Sequence, residues 1–364
     1  MTSDPSRILI IRPSALGDVA RSVPVLVNLR RAFPDAGIDW LVQDSFVDAI
    51  AHHPDLTEPV PFPRKEFGEW VRGVRLGRLR TYLGSLRARR YDLVVDAQGL
   101  ARSGLLCWAT RARQRWGHDD AREMGPLRSL VYTRQVPSEV EAHSVDRMLG
   151  LVAPLLAERK LVLHDNKWAM RLYTSDEDRA WARSRLDAAC GAGRAAPVVL
   201  APTSRWPGKQ GPDERFAALG RHLAAHGRDV VIVGSGPERG QIPACLGLGV
   251  RSPERAEGRV VDLVGTTSIG QLMAVIEGAA LVVANDSAAL HMAVGFDRPI
   301  VALFGPTRAH RVGPFRRDAD VIQHLLADDT YDHKLEAHGR AMMERIALDE
   351  VVEACEQRLG PAGE

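Results

Sequence analysis

The sequence predicts an α/β protein with two parallel β-sheets, one in each half of the chain. Short apolar runs alternate with amphipathic stretches of helical spacing in both halves, a pattern typical of strand–helix–strand units. A length of 364 residues exceeds what one hydrophobic core serves and fits two domains of roughly 150–180 residues each. In the segment 281–307, two apolar strands each end in a polar turn, as expected at the ligand-binding edge of such a sheet.

Each half is predicted to contain buried strands separated by helices. A parallel strand is covered on both faces and therefore reads as a continuous apolar run. The predicted strands span residues 8–11, 38–42 and 93–96 in the first half and 198–201, 230–233, 260–263, 281–284 and 300–304 in the second. The predicted helices span residues 19–33, 75–89, 144–152, 213–226, 268–278 and 288–294.

The join between the two domains is expected between residues 160 and 166. This gives an N-terminal domain over residues 1–160 and a C-terminal domain over residues 166–340. The remaining segment, 341–364, contains a predicted helix with one apolar face. We expect that face to pack back on the first domain.

Composition excludes several classes of protein. Hydrophobic residues make up 45% of the chain and charged residues 26%, as in folded globular proteins, and no apolar run approaches the ~20 residues of a membrane-spanning helix. The first residues contain no apolar signal-peptide core, so we expect a cytoplasmic protein. The cysteines are far apart in sequence and form no C-x-x-C pair, which argues against a zinc site or a disulfide framework.

The formal net charge of +2 conceals a basic region at residues 60–135. That region contains 16 lysines and arginines against 7 aspartates and glutamates. Such an excess predicts an anionic partner, which is a phosphorylated glycolipid, a membrane surface or nucleic acid. Nucleic acid is the weakest of these, since no nucleic-acid-binding motif accompanies the few aromatic residues. Arginines on solvated helix faces are the alternative explanation.

Polar side chains follow three of the predicted strands. Asp18 comes after the first strand, at the start of a helix, and suits either a helix cap or a general base. The loop 203–209, after the first strand of the second half, carries two hydroxyls and two cations, which suit either solvent or a leaving diphosphate. Asp286 and Ser287 follow the strand that begins at residue 281 and are either an ordinary N-cap pair or part of an anion site.

Two further patterns suggest other chemistries. The glycines within residues 230–240 are spaced G-x-G-x-x-x-G and Asp262 follows them, a weak resemblance to a dinucleotide site. The spacing departs from the G-x-G-x-x-G fingerprint, and the turn does not follow the first strand of its domain. Asp318-Ala319-Asp320 spells the D-x-D of some metal-dependent sugar transferases, but no apolar strand precedes it, and no metal site is predicted.

Taken together, these segments resemble the glycosyltransferase family that contains the lipopolysaccharide heptosyltransferases. The resemblance runs from RILIIRPSALGDV through YDLVVDAQGLARSG and TSRWPGKQGPDERF to NDSAALHMAVGFDRPIVALFGPT. YDLVVDAQGL and the Ala121-Arg122-Glu123 region look most like the members that add the first heptose to the Kdo–lipid A inner core. The resemblance implies a GT-B fold, in which two Rossmann-like domains face each other across a cleft.

The resemblance also implies the chemistry and the partners. The reaction would be metal-independent, inverting transfer from ADP-L-glycero-β-D-manno-heptose to Kdo–lipid A, with no cofactor. The partners would be the nucleotide sugar and an anionic glycolipid. The enzyme would be a cytoplasmic monomer, peripheral to the inner membrane.

Individual roles follow from the matching positions. Asp18 would deprotonate the acceptor hydroxyl, and Lys209 would stabilise the leaving ADP. The implied donor-binding residues are Thr203, Ser204, Arg205 and Lys209 for the phosphates, Glu238 for the ribose, Asp286 and His291 for the sugar, and the N–H groups of Ser287 and Ala288 for phosphate. The implied acceptor-binding residues are Ser14, Arg64, Lys65, Gln98 and Arg122.

Two positions depart from the family pattern. The family usually has Lys-x-Trp-Pro where this chain has Gly211 before Pro212, and we expect Trp206 to fill the missing volume. Ala288 stands where glycine is common. Both lie where the donor's base or sugar would rest, so three alternatives stay open. They are a transferase for a UDP- or GDP-hexose, an NAD-dependent oxidoreductase and a non-catalytic sugar-nucleotide binder.

Overall fold

The computed structural model describes residues 4–70, 73, 75–250 and 258–360. The chain divides into two units, Met1–Tyr173 and Thr174–Glu364, and each unit contains a six-stranded parallel sheet. An α/β protein with two parallel sheets is therefore confirmed. Within the described residues, no helix is both long enough and apolar enough to span a bilayer.

The division between the units falls later than the predicted join at residues 160–166. The segment after residue 160 has no long helix or strand of its own, but its side chains and backbone are tied to the first unit. Asn28 Nδ2 donates to the carbonyl oxygen of His164 at 2.8 Å, and its Oδ1 accepts from the N–H of His164 at 2.9 Å. The ring of Tyr173 packs edge-on against His53, with ring centroids 4.9 Å apart.

The first unit has the sheet order β3-β2-β1-β4-β5-β6. Its strands are β1 Arg7–Ile11, β2 Gly37–Gln43, β3 Glu58–Phe62, β4 Leu93–Asp96, β5 Gln114–His118 and β6 Arg134–Val136. Its helices are α1 Leu16–Arg21, α2 Val23–Ala32, α3 Arg64–Glu69, α4 Leu76–Ala88, α5 Ala101–Ala109, α6 Arg128–Val131 and α7 Ser144–Glu158. Short 3-10 helices span Asp44–Ala49 and Arg122–Leu127.

The second unit has the sheet order β12-β11-β10-β7-β8-β9. Its strands are β7 Val198–Ala201, β8 Val230–Ile232, β9 Val260–Asp262, β10 Leu281–Asn285, β11 Ile300–Leu303 and β12 Val321–Ile322. Its helices are α8 Asp176–Cys190, α9 Asp213–Ala225, α10 Pro243–Leu246, α11 Ile269–Glu277, α12 Ala288–Gly295, α13 Ala309–Val312, α14 Glu336–Glu344 and α15 Leu348–Leu359. Short 3-10 helices span Pro207–Lys209, Gly236–Gln241, Gly247–Val250 and Asp318–Asp320.

The two sheets share one topology. In each, the first strand lies at the centre, and the chain builds outward on one side before it crosses to the other. The crossing creates a switch point, β1 beside β4 in the first sheet and β7 beside β10 in the second. Ligands of open α/β sheets bind outside the carboxyl ends of the strands at such points. The topology therefore directs attention to the segments that follow these four strands.

The last helix, α15, packs within the second unit. Val351 and Cys355 on its apolar face are buried in the same core as Leu303 of β11. Arg215 of α9 donates from Nη1 to the carbonyl oxygens of Glu344 and Ile346, which fixes the turn that leads into α15. The expected return of this helix to the first domain is corrected accordingly, because its apolar face is already covered.

Candidate active site

Asp18 lies at the carboxyl edge of the first sheet, in the first turn of α1. Its Oδ2 is 3.1 Å from Nη2 of Arg12 and accepts from the N–H of Ala15 at 3.2 Å, while Nη2 of Arg21 donates to its Oδ1. Burial alone would raise the pKa of Asp18, but the charges of Arg12 and Arg21 outweigh burial and hold that pKa well below its usual value. Asp18 is therefore ionised, and 27% of its side chain is exposed, so a substrate can reach it.

Ser14 and Gln98 lie beside each other at the same edge. The N–H of Ser14 points at Gln98 Oε1 over 3.4 Å, a long contact between the segments that follow β1 and β4. Asp96, at the end of β4, is fully buried and accepts from the N–H groups of Gln98 and Gly99 at 3.0 and 3.1 Å. Its other oxygen accepts from the hydroxyl of Tyr132 at 2.7 Å. Asp96 thus fixes the turn that carries Gln98.

The three basic residues predicted to bind the acceptor differ in how the structure places them. Arg64 begins α3, directly after β3, and donates from Nη1 to Gln43 Oε1 at the end of β2 over 3.3 Å. Lys65 is exposed next to it. The backbone of Arg122 begins a 3-10 helix, and its side chain lies outside the described part of the structure. Arg64 and Lys65 therefore follow a strand at the same edge of the sheet as Asp18.

Asp286 is the centre of a second cluster, at the carboxyl edge of the second sheet. Its Oδ2 is 2.6 Å from Lys209 Nζ and accepts from the hydroxyl of Thr307 at 3.0 Å. Nε2 of His291 lies 3.9 Å from its Oδ1. Lys209, which lies 77 residues before Asp286 in the sequence, is thus brought beside Asp286 and the buried His291.

The charge of Asp286 is offset by its neighbours. Burial would raise the pKa of this carboxyl, but its interaction with His291 and the charge of Lys209 hold that pKa well below its usual value. A carboxylate beside a diphosphate is repulsive, so Asp286 at such a site needs a cation next to it. Lys209 is that cation, with its side chain only 15% exposed.

Thr203 and Glu238 meet at the ends of β7 and β8. The hydroxyl of Thr203 donates to Glu238 Oε2 at 3.0 Å, and the N–H of Ser235 donates to the same oxygen at 3.2 Å. Ser204 is also buried, with 4% of its surface exposed. Arg205 extends into solvent over the Trp206 ring, 5.9 Å from the ring centroid. In the predicted phosphate-binding loop, Thr203 and Ser204 are therefore buried, whereas Arg205 is exposed.

Ser287 is the N-cap of α12, but its side chain does not cap the helix. Its Oγ is buried and has no hydrogen-bond partner among the described residues. Ala288 begins the helix, at the point where backbone N–H groups are not yet paired within it. A buried hydroxyl left unpaired is costly, so its presence beside the first turn of a helix favours an anion as its partner.

Lys209 is positioned by two glycines in close contact. It ends the 3-10 helix Pro207–Lys209, which packs against α14. A Cβ on Gly339 of α14 would lie 2.3 Å from the carbonyl oxygen of Gly208. Only glycines permit this approach of the two backbones.

Trp206 does not fill the volume that Gly211 leaves. The Trp206 ring is 38% exposed and lies edge-on to His333, with centroids 4.9 Å apart. Gly211 lies instead against Phe216, whose ring would be 3.1 Å from a Cβ at that position. Phe216 lines a small apolar cavity beside Gly211, so the missing volume stays partly empty.

The residues behind the two rival chemistries are engaged elsewhere. Asp262, the candidate ribose ligand of a dinucleotide site, pairs with Arg239 at 2.5 Å. Asp320 of the D-x-D pattern is paired with Arg317 at 2.5 Å and with Arg358 at 2.9 Å. These ion pairs join surface segments of the second unit, and they leave neither carboxylate positioned for a ligand.

Sequence reasoning missed three functional neighbours of the two carboxylates. Arg12 and Arg21 flank Asp18, and Thr307 supplies a hydroxyl to Asp286. The i, i+3 spacing of Asp18 and Arg21 on a helix was a usable signal. Thr307 had a weaker one, since it lies in the Gly-Pro-Thr turn after the neighbouring strand.

Comparison with known proteins identifies the family. The family model described as glycosyltransferase family 9 (heptosyltransferase) matches residues 79–336. The chain belongs to glycosyltransferase family 9. It is therefore a glycosyltransferase.

The relatives of this family 9 enzyme include more than one type of heptosyltransferase. Lipopolysaccharide heptosyltransferase 1 of Pseudomonas aeruginosa is 30% identical over 85% of this chain and 82% of its own length. Lipopolysaccharide heptosyltransferase 2 of Salmonella typhimurium is 27% identical over 87% of this chain and 88% of its own. The solved Escherichia coli ADP-heptose lps heptosyltransferase II superposes with a TM-score of 0.73 at 24% identity, over 97% and 98% of the two chains. The GT-B fold class is thus confirmed. These comparisons do not distinguish heptosyltransferase type 1 from type 2 for this chain.

Proposed function

We propose that this family 9 enzyme transfers a heptose from ADP-L-glycero-β-D-manno-heptose to the Kdo–lipid A inner core of lipopolysaccharide, with inversion and without a metal ion. The observation that carries the proposal is the pair of sites described above. One presents an ionised, accessible carboxylate, and the other a largely buried lysine beside an unpaired hydroxyl and a helix N-terminus. The names of the relatives support ADP-heptose and lipopolysaccharide, and the resemblance of the motifs suggests the exact donor and acceptor.

The second unit would bind the donor. Lys209, the Ser287 hydroxyl and the N–H groups at the start of α12 would hold the diphosphate. Asp286 would turn its free lone pairs toward the hydroxyls of the sugar, since Lys209 already offsets its charge. Glu238, held by Thr203, would accept from the ribose hydroxyls. Arg205 would reach the phosphates from solvent.

The first unit would bind the acceptor. Arg64, Lys65 and Arg122 would pair with its phosphate and carboxylate groups, as cations do with such anions. Ser14 and Gln98 would contact its sugar hydroxyls. Such an enzyme would act as a monomer in the cytoplasm, at the periphery of the inner membrane.

Asp18 would accept the proton. The acceptor oxygen forms its bond to the anomeric carbon while the bond to the β-phosphate breaks, and the electron pair of that bond leaves with ADP. Two arginines make Asp18 a weak base, so the proton would move late, once bond formation has made the attacking hydroxyl acidic. Lys209 and the helix N–H groups would offset the charge that develops on ADP.

Calorimetric titration with ADP, UDP, GDP and NAD tests the donor assignment. We expect ADP to bind most tightly, and Lys209→Met to weaken it at least tenfold, the order of one charge-assisted contact to phosphate. Lys160→Met, which removes an exposed lysine of the first unit, is the matched control and should leave ADP affinity unchanged. Tighter binding of NAD or UDP, or no effect of Lys209→Met, would overturn the proposal.

A further inference from the structure

Helices α4, α5 and α6 form one layer over one face of the first sheet. α4 packs against α5 and α5 against α6. Their inner sides enter a single core, to which Leu86 contributes from α4, Cys107 from α5 and Tyr132 from the end of α6. The outer sides of the three helices therefore share one surface of the first unit.

This outer surface is basic. None of the three helices contains an aspartate or glutamate. They present Arg78, Arg80 and Arg87 from α4 and Arg102 from α5, all exposed. None of these four arginines has an acidic partner within 4 Å among the residues that the structure describes. Part of the basic region seen in the sequence thus lies on one helical layer, where these four charges are not neutralised by the described residues.

Large apolar side chains stand among these arginines. Trp108 of α5 is 42% exposed, and the Arg111 guanidinium stacks on its ring at 4.7 Å. Leu127, directly before α6, is 61% exposed, and Leu130 within α6 is 69% exposed. Leucines and tryptophan cost free energy in water, and their combination with arginine is typical of surfaces that insert into the headgroup region of a bilayer.

We propose that this surface, defined by Arg78, Arg80, Arg102, Trp108, Leu127 and Leu130, docks the enzyme on a bilayer that contains anionic lipid. The arginines would pair with the negative headgroups, and the leucines and tryptophan would enter the interface below them. The inference deepens the proposed function by naming a membrane partner. It rests on the proposed function only in taking the acceptor to be a glycolipid.

Charge complementarity favours a lipid surface over other occupants. A second copy of the chain would bring two acid-free, arginine-rich faces together, and like charges repel. A nucleic acid would meet leucines, which do not stack on bases as aromatic side chains do. An anionic bilayer satisfies both the charge and the apolar side chains.

The position of the surface also suits a lipid acceptor. In a parallel sheet each crossover helix begins where a strand ends, so α5 begins at the carboxyl edge, five residues after β4 ends. Gln98 and the accessible carboxylate of Asp18 lie at that same edge. A bilayer on this layer would therefore hold the sugars of an embedded glycolipid beside the proposed base.

Sedimentation with lipid vesicles tests the proposal and needs neither donor nor acceptor. The full chain should bind vesicles of phosphatidylcholine with phosphatidylglycerol, and bind far more weakly to phosphatidylcholine alone or at high salt. The double variants Arg78→Glu/Arg80→Glu and Leu127→Glu/Leu130→Glu should each lose roughly tenfold or more in vesicle affinity. Arg183→Glu/Arg185→Glu on α8 of the second unit makes the same charge change on an exposed helix face and should bind as the wild type does.

Several outcomes would overturn the proposal. They are equal binding to both kinds of vesicle, an equal loss in the α4 and α8 variants, tighter binding to a DNA duplex than to anionic vesicles, and a dimer in light scattering that Leu127→Glu/Leu130→Glu dissociates. Denaturant titration of each variant shows whether the first unit, which carries the α4 and α6 substitutions, remains folded. If the donor assignment fails while vesicle binding behaves as expected, the docking surface stands and the proposed reaction does not.

Discussion

Asp18 and Asp286 are held ionised by nearby cations at the edges of the two sheets. Arg12 and Arg21 flank the first, and Lys209 pairs with the second. Both folded-state pKa values lie below the ordinary value for aspartate, about 3.9. Each carboxylate therefore stabilises the folded protein at pH values above that ordinary value, and this stabilisation is lost as the pH falls toward the folded-state pKa. Neither group titrates in the range in which the enzyme would work.

Removing one of the two arginines should change the pH profile. Arg21→Gln takes away one opposing charge, so the pKa of Asp18 rises, and the acid limb of kcat/KM moves to higher pH. Ser144→Ala is the control, because it removes a hydrogen-bond partner of Arg21, at 2.9 Å, and keeps the charge. The measurement is the initial rate as a function of pH, for both variants and the wild type. If the acid limb of kcat/KM lay at the same pH in the wild type and in both variants, this would contradict a role for Arg21 in setting the charge of Asp18.

The sequence predicted the carboxylates better than their neighbours. Asp18 and Asp286 each follow an apolar strand directly, and local sequence is enough to place such residues at a sheet edge. Nothing in the local sequence indicated that Glu238 would accept from Thr203. That hydrogen bond joins the ends of β7 and β8, and it forms because these strands are neighbours in the sheet. The order of strands in a sheet cannot be read directly from a single sequence.

At the scale of elements, the strands that were predicted are those with apolar runs. β1, β2 and β4 of the first half and β7 to β11 of the second were predicted to within about one residue. β3, with the sequence EPVPF, was missed because two prolines are unusual in a strand, and it lies at the edge of the sheet, where they are tolerated. β5, with the sequence QRWGH, has no apolar run. The predicted helix 19–33 is two helices, since Pro24 lacks the N–H that would continue the first.

The contact between the Pro207–Lys209 turn and α14 predicts that a methyl group added to α14 displaces Lys209. Gly339→Ala places a Cβ 2.3 Å from the Gly208 carbonyl oxygen, so the two backbones must separate and Lys209 moves with its turn. We expect a loss of about 1–3 kcal/mol in the free energy of unfolding, together with weaker ADP binding. Denaturant titration and calorimetry measure the two effects.

Gly84→Ala in α4 is the matched control for that substitution. Gly84 lies within a helix, as Gly339 does, but no heavy atom lies within 4 Å of the added Cβ. The change should therefore stabilise the protein by about 0.5–1 kcal/mol and leave ADP binding unaltered. Equal effects of the two substitutions would show that the close approach at Gly208 does not position Lys209.

At the scale of the whole molecule, the chain repeats one sheet topology with two different edges. The first edge carries an ionised carboxylate that two arginines flank, and the second a lysine, a helix N-terminus and an unpaired serine hydroxyl. Each unit has its own core. The alternation of strands and helices in the sequence predicted both sheets, but the unit to which α15 belongs depends on tertiary packing.

ADP should stabilise the second unit selectively. At a hundredfold excess over its dissociation constant, a ligand stabilises the site that it binds by about 2.7 kcal/mol. Hydrogen exchange with and without ADP should show the largest protection in the segments that follow β7 and β10, which contain Lys209 and Ser287. Protection that is largest in the first unit would contradict the assignment of the donor to the second.

The most direct test of the account is kcat for heptosyl transfer from the ADP-heptose donor to Kdo–lipid A, measured for the wild type and for Asp18→Asn. Asparagine keeps the size and the contact with the Ala15 N–H but takes up no proton. The account predicts transfer by the wild type and a loss of roughly 10²–10⁴ in kcat for the variant, the range for loss of a general base, with ADP affinity unchanged. Turnover near that of the wild type would contradict it.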